Sequence, residues 1–179
     1  MRKTMKSALA FLLVASTLLA LLLLASCGIT SDIEGFLTSD NYTFKAGKMT
    51  IMVDKSTVYY TDGNVEKYLY LSKAEGRYYY CEAGKGKKVV KEAIDSEEYI
   101  VYHNQLLANV AYVSQHLTAF LQVAESIEEV DGVYTIGSYS IKSADGVITC
   151  TVGKSEAEIT AVGSTVVEIP EAVLNAVGK

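Results

Sequence analysis

Hydrophobic and polar positions along this chain change period several times, and the changes divide it into elements. Residues 8–25 are uncharged throughout and mostly apolar. From residue 42 the period is two: Tyr42 and Phe44 alternate with polar residues, and Met49, Ile51 and Val53 continue on the opposite parity after Gly47. A parity switch at a glycine predicts a tight turn or a bulge. Ser56–Thr61 and Val65–Ser72 flank Asp62-Gly63-Asn64, short polar residues that tolerate positive φ, which predicts a hairpin. A second hairpin is expected across Lys73-Ala74-Glu75-Gly76 into Arg77–Glu82, and a third turn over residues 83–88 before Val89 and Val90. Residues 42–92 thus predict an antiparallel meander of four or five strands.

A helical period follows. Tyr99, Tyr102, Leu106, Val110, Val113, Leu117 and Leu121 recur at spacings of three and four, with a break expected near Asn104 or Asn109. Asp95 or Ser96 can cap this helix, and Glu97 and Glu98 suit the positive end of its dipole. Strands then return: Val133–Ile136 after a turn over Glu129–Gly132, Tyr139–Lys142 against Val147–Val152 across residues 143–146, then Glu156–Val162 and Thr165–Ile169. Pro170 is expected to open a short terminal helix.

The apolar segment at the N-terminus follows three cations, Arg2, Lys3 and Lys6, and ends in Leu24-Ala25-Ser26-Cys27. Charged n-region, apolar h-region and small residues before a cleavage point are the parts of a secretory signal. The last four residues resemble the lipobox of bacterial lipoproteins, which implies removal of residues 1–26 and a diacylglyceryl thioether on Cys27. Eighteen uncharged residues, 8–25, are also just long enough to cross a bilayer, so an uncleaved anchor is the competing expectation. Ordinary secretion without lipid is a third reading, which leaves the position of the cysteine unexplained. All three place the rest of the chain outside the cytoplasm, and the lipobox places it against the outer face of the cytoplasmic membrane or at the outer membrane.

Charge then sharpens the picture. All three cations of the segment would be lost with it, leaving 13 Lys and Arg against 21 Asp and Glu, a balance of −8. Such a domain is a poor partner for nucleic acid or an anionic membrane surface. Thirteen tyrosines and a single proline suit an extended sheet. In register, Tyr68, Tyr70, Tyr78 and Tyr80 are expected to project from one sheet face, as a cross-strand ladder or as a ligand-facing surface. Cys81 and Cys150 are left as a candidate disulfide or as two small buried hydrophobes.

No catalytic or metal-binding pattern emerges, and no cofactor is expected. His103 and His116 stand thirteen residues apart on one helical stretch, on different faces. Glu125, Glu128, Glu129 and Asp131 lack calcium-loop spacing. Gly84-Lys85-Gly86-Lys87-Lys88 lacks the spacing and following helix of a phosphate loop. There is no Gly-x-Ser-x-Gly elbow.

The order of lipobox, meander, central helix and second meander, closing on Gly163–Glu171, resembles the LolA-like and LppX-like bacterial lipoproteins and carriers, on its lipid-anchored branch. Asp62-Gly63-Asn64, Asp131-Gly132-Val133-Tyr134 and Asp145-Gly146-Val147-Ile148 are the strings that carry the likeness. It implies an α+β fold: a curved antiparallel sheet, an incomplete barrel, with helices on its concave face. The expected division is a signal peptide over 1–26, a lipidated tether over 27–40 and one domain over 41–179. The implied function is non-enzymatic: a membrane-anchored lipoprotein holding a lipid or other apolar ligand between sheet and helix. The alternative is an envelope module with a solid core that binds a protein or glycan through its surface.

Overall fold

Ile29, Ile33 and Phe36 are spaced four and three apart, the stripe of a short amphipathic helix. In the computed structural model, which describes residues 28–176, residues 28–38 form that helix, α1. All three side chains are buried in the main core, Ile33 completely. This corrects the expected tether over 27–40: nearly all of it is folded, because its apolar stripe has a core to enter. The signal segment and Cys27 lie outside the described residues.

Eleven strands follow: β1 (Asn41–Ala46), β2 (Met49–Asp54), β3 (Thr57–Thr61), β4 (Val65–Ser72), β5 (Arg77–Gly84), β6 (Val90–Ile94), β7 (Glu129–Val130), β8 (Val133–Ile136), β9 (Tyr139–Ala144), β10 (Val147–Val152) and β11 (Ser155–Thr160). They form one antiparallel sheet in the order β6-β5-β4-β3-β2-β1-β11-β10-β9-β8-β7. Every neighbour is also a neighbour in sequence except β1 and β11, whose pairing joins the two meanders. The sheet is open, with β6 and β7 as its edges, and the fold is α+β.

Turn chemistry sets the register. Asp131-Gly132 and Asp145-Gly146 have positive φ at both positions, the two-residue geometry that matches strand twist. The second is therefore a two-residue turn, and β9 runs on to Ala144 where a four-residue loop was expected. At the β3–β4 turn the Asp62 carboxylate accepts from the backbone N–H of Asn64 (2.8 Å) and Val65 (3.0 Å). Those bonds hold its pKa below the ordinary carboxylate value.

The chain crosses from β6 to β7 through α2 (Ser96–Leu106) and α3 (Ala108–Val123). Asp95 caps α2 in a capping box with Glu98, and the break falls at Leu107. Leu106, Val110, Val113, Leu117 and Phe120 are the buried stripe; Phe120 takes the inward place expected of Leu121. They share one cluster with α1 and with same-face strand residues such as Phe44, Ile51, Leu69, Ile141 and Ile159.

Residues after β11 do not form the expected strand over Thr165–Ile169. Both edges of β11 are already taken, by β10 and β1. The segment crosses the opposite sheet face instead. Asn41 and the backbone of Thr165 exchange two hydrogen bonds (2.8 and 2.6 Å), and the hydroxyls of Thr43 and Thr165 pair at 2.9 Å. Helix α4 (Glu171–Leu174) then presses Val173 against Tyr68, Tyr70 and Cys81, and Lys91 Nζ donates to the Leu174 carbonyl at 2.8 Å.

Cys81 and Cys150 are free thiols, corrected here from the candidate disulfide. Cys81 is on β5 in the outer cluster, Cys150 on β10 in the main core, and five strands lie between them in the sheet. Burial raises both thiol pKa values, which disfavours the reactive thiolate. A thiol reagent is expected to leave both unmodified in the native protein and to label both in denaturant. Fast native labelling of either would contradict their burial.

Candidate functional site

Side-chain size along one row of the sheet creates the site. Ala46 on β1 stands opposite Ala157 on β11, and Ala157 stands opposite Cys150 on β10. In the neighbouring row the same strands carry Phe44, Ile159 and Ile148. Three small side chains in succession lower the surface at one end of the sheet. The first turns of α3 cross above, bringing Tyr112 and Val113 over the trough, and Asn109 donates to Met49 Sδ at 3.3 Å. The result is a cavity of about 270 Å³ between helix and sheet, completed by Met49, Val152 and Ser155. Glu156 and Asn109 are the polar groups at its rim.

A larger hollow of about 710 Å³ adjoins it, sharing Ala46, Ser155 and Glu156, but its lining residues are largely polar, Lys45, Lys154 and Glu158 among them. The inner cavity is the one that an apolar group could enter with burial. Between the helices and the sheet, Ile33, Leu117 and Phe120 are wholly buried.

The four tyrosines expected on one face are split between two. Tyr68 pairs with Cys81 and Tyr70 with Tyr79, whereas Tyr78 and Tyr80 pair with Leu71 and Leu69. Tyr68 and Tyr70 belong to the outer cluster under α4, with the Tyr68 ring 5.1 Å from that of Tyr59. Tyr78 and Tyr80 lie under α2, 4.5 Å from Tyr99 and stacked 4.2 Å from Tyr102. Each ring already has a protein partner, and none of the four lines the cavity.

Behind the cavity wall, His116 stacks on Tyr139 at 4.8 Å and meets Tyr112 edge-on at 4.7 Å. Tyr139 lies beside Cys150, and burial pushes its phenol well above the ordinary value. Its hydroxyl, like that of Tyr70 on the other face, has no hydrogen-bond partner of good geometry among the described residues. Among those residues no three His, Cys, Asp or Glu side chains gather at one point.

The His103 ring lies tilted 5.7 Å from that of Tyr99, and its pKa lies below the ordinary 6.5 because burial disfavours the imidazolium. The unfolded chain therefore binds this proton more readily than the native protein. Stability is expected to fall as pH drops from about 6.5 towards the lower native value, and His103→Gln to flatten that part of the profile. Urea midpoints across that range check it; an identical slope in the variant contradicts the assignment.

Sequence reasoning missed the cavity. A signal was present in Ala46 and Ala157, since alanine is depleted in strands. Their juxtaposition depends on the β1–β11 pairing, which joins residues more than a hundred positions apart. No protein-family model, no curated protein and no solved structure matches the chain.

Proposed function

We propose that this chain is an extracytoplasmic lipoprotein, anchored through a diacylglyceryl group on Cys27, that holds one apolar chain of a lipid in the cavity under α3. The observation that carries the reading is the trough of Ala46, Ala157 and Cys150 roofed by Tyr112 and Val113. At about 270 Å³ it falls just below the span of ligand pockets, roughly 300 to 1,000 Å³. A single chain end suits it better than a whole lipid. Each buried methylene is worth about 0.8 kcal/mol, so six carbons gain about 5 kcal/mol before the cost of association.

In this reading the open sheet is a curved, incomplete barrel of the LolA-like and LppX-like kind, with the helices on its concave side. The Leu24-Ala25-Ser26-Cys27 string supports the anchor, which confines the cavity to the membrane that supplies its ligand. The chain is not an enzyme in this reading and needs no cofactor.

Native mass spectrometry of gently extracted protein tests the binding. One retained or readily acquired lipid is expected. An apo mass that takes up none points to the envelope interaction module with a self-filled core. The same spectra test the anchor: the chain is expected to begin at a diacylglyceryl-modified Cys27, and a chain still beginning at Met1 replaces the lipid with a transmembrane segment.

A further inference from the structure

The meander separates the charges by alternating its turns between two ends of the sheet. The β1–β2, β3–β4, β5–β6, β8–β9 and β10–β11 connections share one end, where the cavity also lies. Their charged residues are Lys48, Lys85, Lys87, Lys88 and Lys154, against Asp62 alone. The other end carries Glu75, Asp95, Glu97, Glu98, Asp131 and Asp145 in its turns and the first turn of α2, against Lys55 and Lys73. A net acidic domain thus has one basic end.

Those five lysines are exposed. The one ion pair among the described residues, Lys67–Glu82, involves none of them. In the adjoining cleft Lys45 faces Glu158 across the β1–β11 pair, while Glu156 faces Thr151. Lys48 and Lys154 flank the rim residues Met49 and Ser155. The lysines sit on turns spread from β5–β6 across to β10–β11. That is too wide for one headgroup and suits a surface.

The geometry points to this end as a docking face for an anionic lipid surface, with the cavity mouth turned towards that surface. Each lysine near such a surface adds favourable energy within a Debye length, so five acting together outweigh the repulsion of the distant acidic end. The docking face stands on charge and topology. Passage of a lipid chain through it rests on the function proposed above.

The test uses the full-length protein with Ser138→Cys, in the β8–β9 turn at the basic end, carrying an environment-sensitive fluorophore. Cys81 and Cys150 are buried, and labelling of the parent chain measures any background from Cys27. Nanodiscs rich in phosphatidylglycerol are expected to blue-shift the label, and pure phosphatidylcholine discs to leave it unchanged. High salt, or the triple change Lys48→Glu, Lys88→Glu and Lys154→Glu, is expected to abolish the shift while circular dichroism stays native. An equal shift on neutral discs overturns the proposal, as does a response from a Ser56→Cys label at the other end in place of Ser138→Cys. Salt-sensitive self-association without any disc-induced shift also overturns it, reassigning the basic end to the acidic end of a second copy. Docking without lipid in native mass spectra refutes the cavity reading alone; lipid without docking refutes this one alone.

Discussion

Replacing Ile33 by Asp is expected to leave the domain unfolded or nearly so at room temperature, and Phe36→Ala to cost about 3–5 kcal/mol. Ile33 is fully buried, and Phe36 is 2% exposed with its ring edge-on to Tyr42 at 5.0 Å. A carboxylate at Ile33 has no cation to meet in a cluster of aliphatic and aromatic side chains, and an unpaired buried charge costs several kcal/mol. Against a typical total of about 5–15 kcal/mol, that is most of the stability. Glu34→Ala, on the exposed side of α1, is expected to stay within about 0.5 kcal/mol of the parent. Urea unfolding followed by circular dichroism distinguishes them. Equal midpoints for Ile33→Asp, Glu34→Ala and the parent would mean that residues 28–38 are a leash after all.

The contacts of α1 also fix its path across the sheet. Asp32 accepts a hydrogen bond from Ser143 on β9, and Phe36 meets Tyr42 on β1, so α1 crosses the sheet from the β9 side towards β1. Cys27 immediately precedes it.

The hairpins were legible because their turns carry their own chemistry: Asp-Gly where both residues need positive φ, and an Asp62 that closes its turn with its side chain. The central helix was legible from its period and its Asp95 cap. Loop length also held information about the tyrosines. Four residues, Lys73–Gly76, between Ser72 and Arg77 pair even-numbered positions on β4 with odd-numbered ones on β5, so Tyr68 and Tyr70 could not share a face with Tyr78 and Tyr80. Helix α1 was hidden because its described part, 28–38, is short and contains Gly35, and such a segment is marginal without tertiary support. The β-branched run Thr165-Val166-Val167 has the composition of a strand, but β11 had no free edge to offer it. What local pattern could not supply was the β1–β11 closure, and the cavity follows from that closure.

Filling the trough is expected to remove bound lipid without harming the fold. Ala157→Phe projects a ring from β11 towards Tyr112 and Val113, and Ala46→Phe does so from β1. In a close-packed core either change would force strain of about 1–3 kcal/mol. Here the added atoms enter existing space, so the urea midpoint is expected to hold or rise slightly. Lipid occupancy in native mass spectra is expected to drop at least tenfold, because the ring occupies the volume that the chain end needs. Tyr80→Phe, under α2 and away from the cavity, serves as the matched control with occupancy unchanged. Loss of lipid in Tyr80→Phe with full retention in Ala157→Phe would move the binding site to the tyrosines beneath α2. Retention in all three variants would place the lipid outside the space between helix and sheet, and the size of the residues at 46, 157 and 150 would then be a packing feature alone.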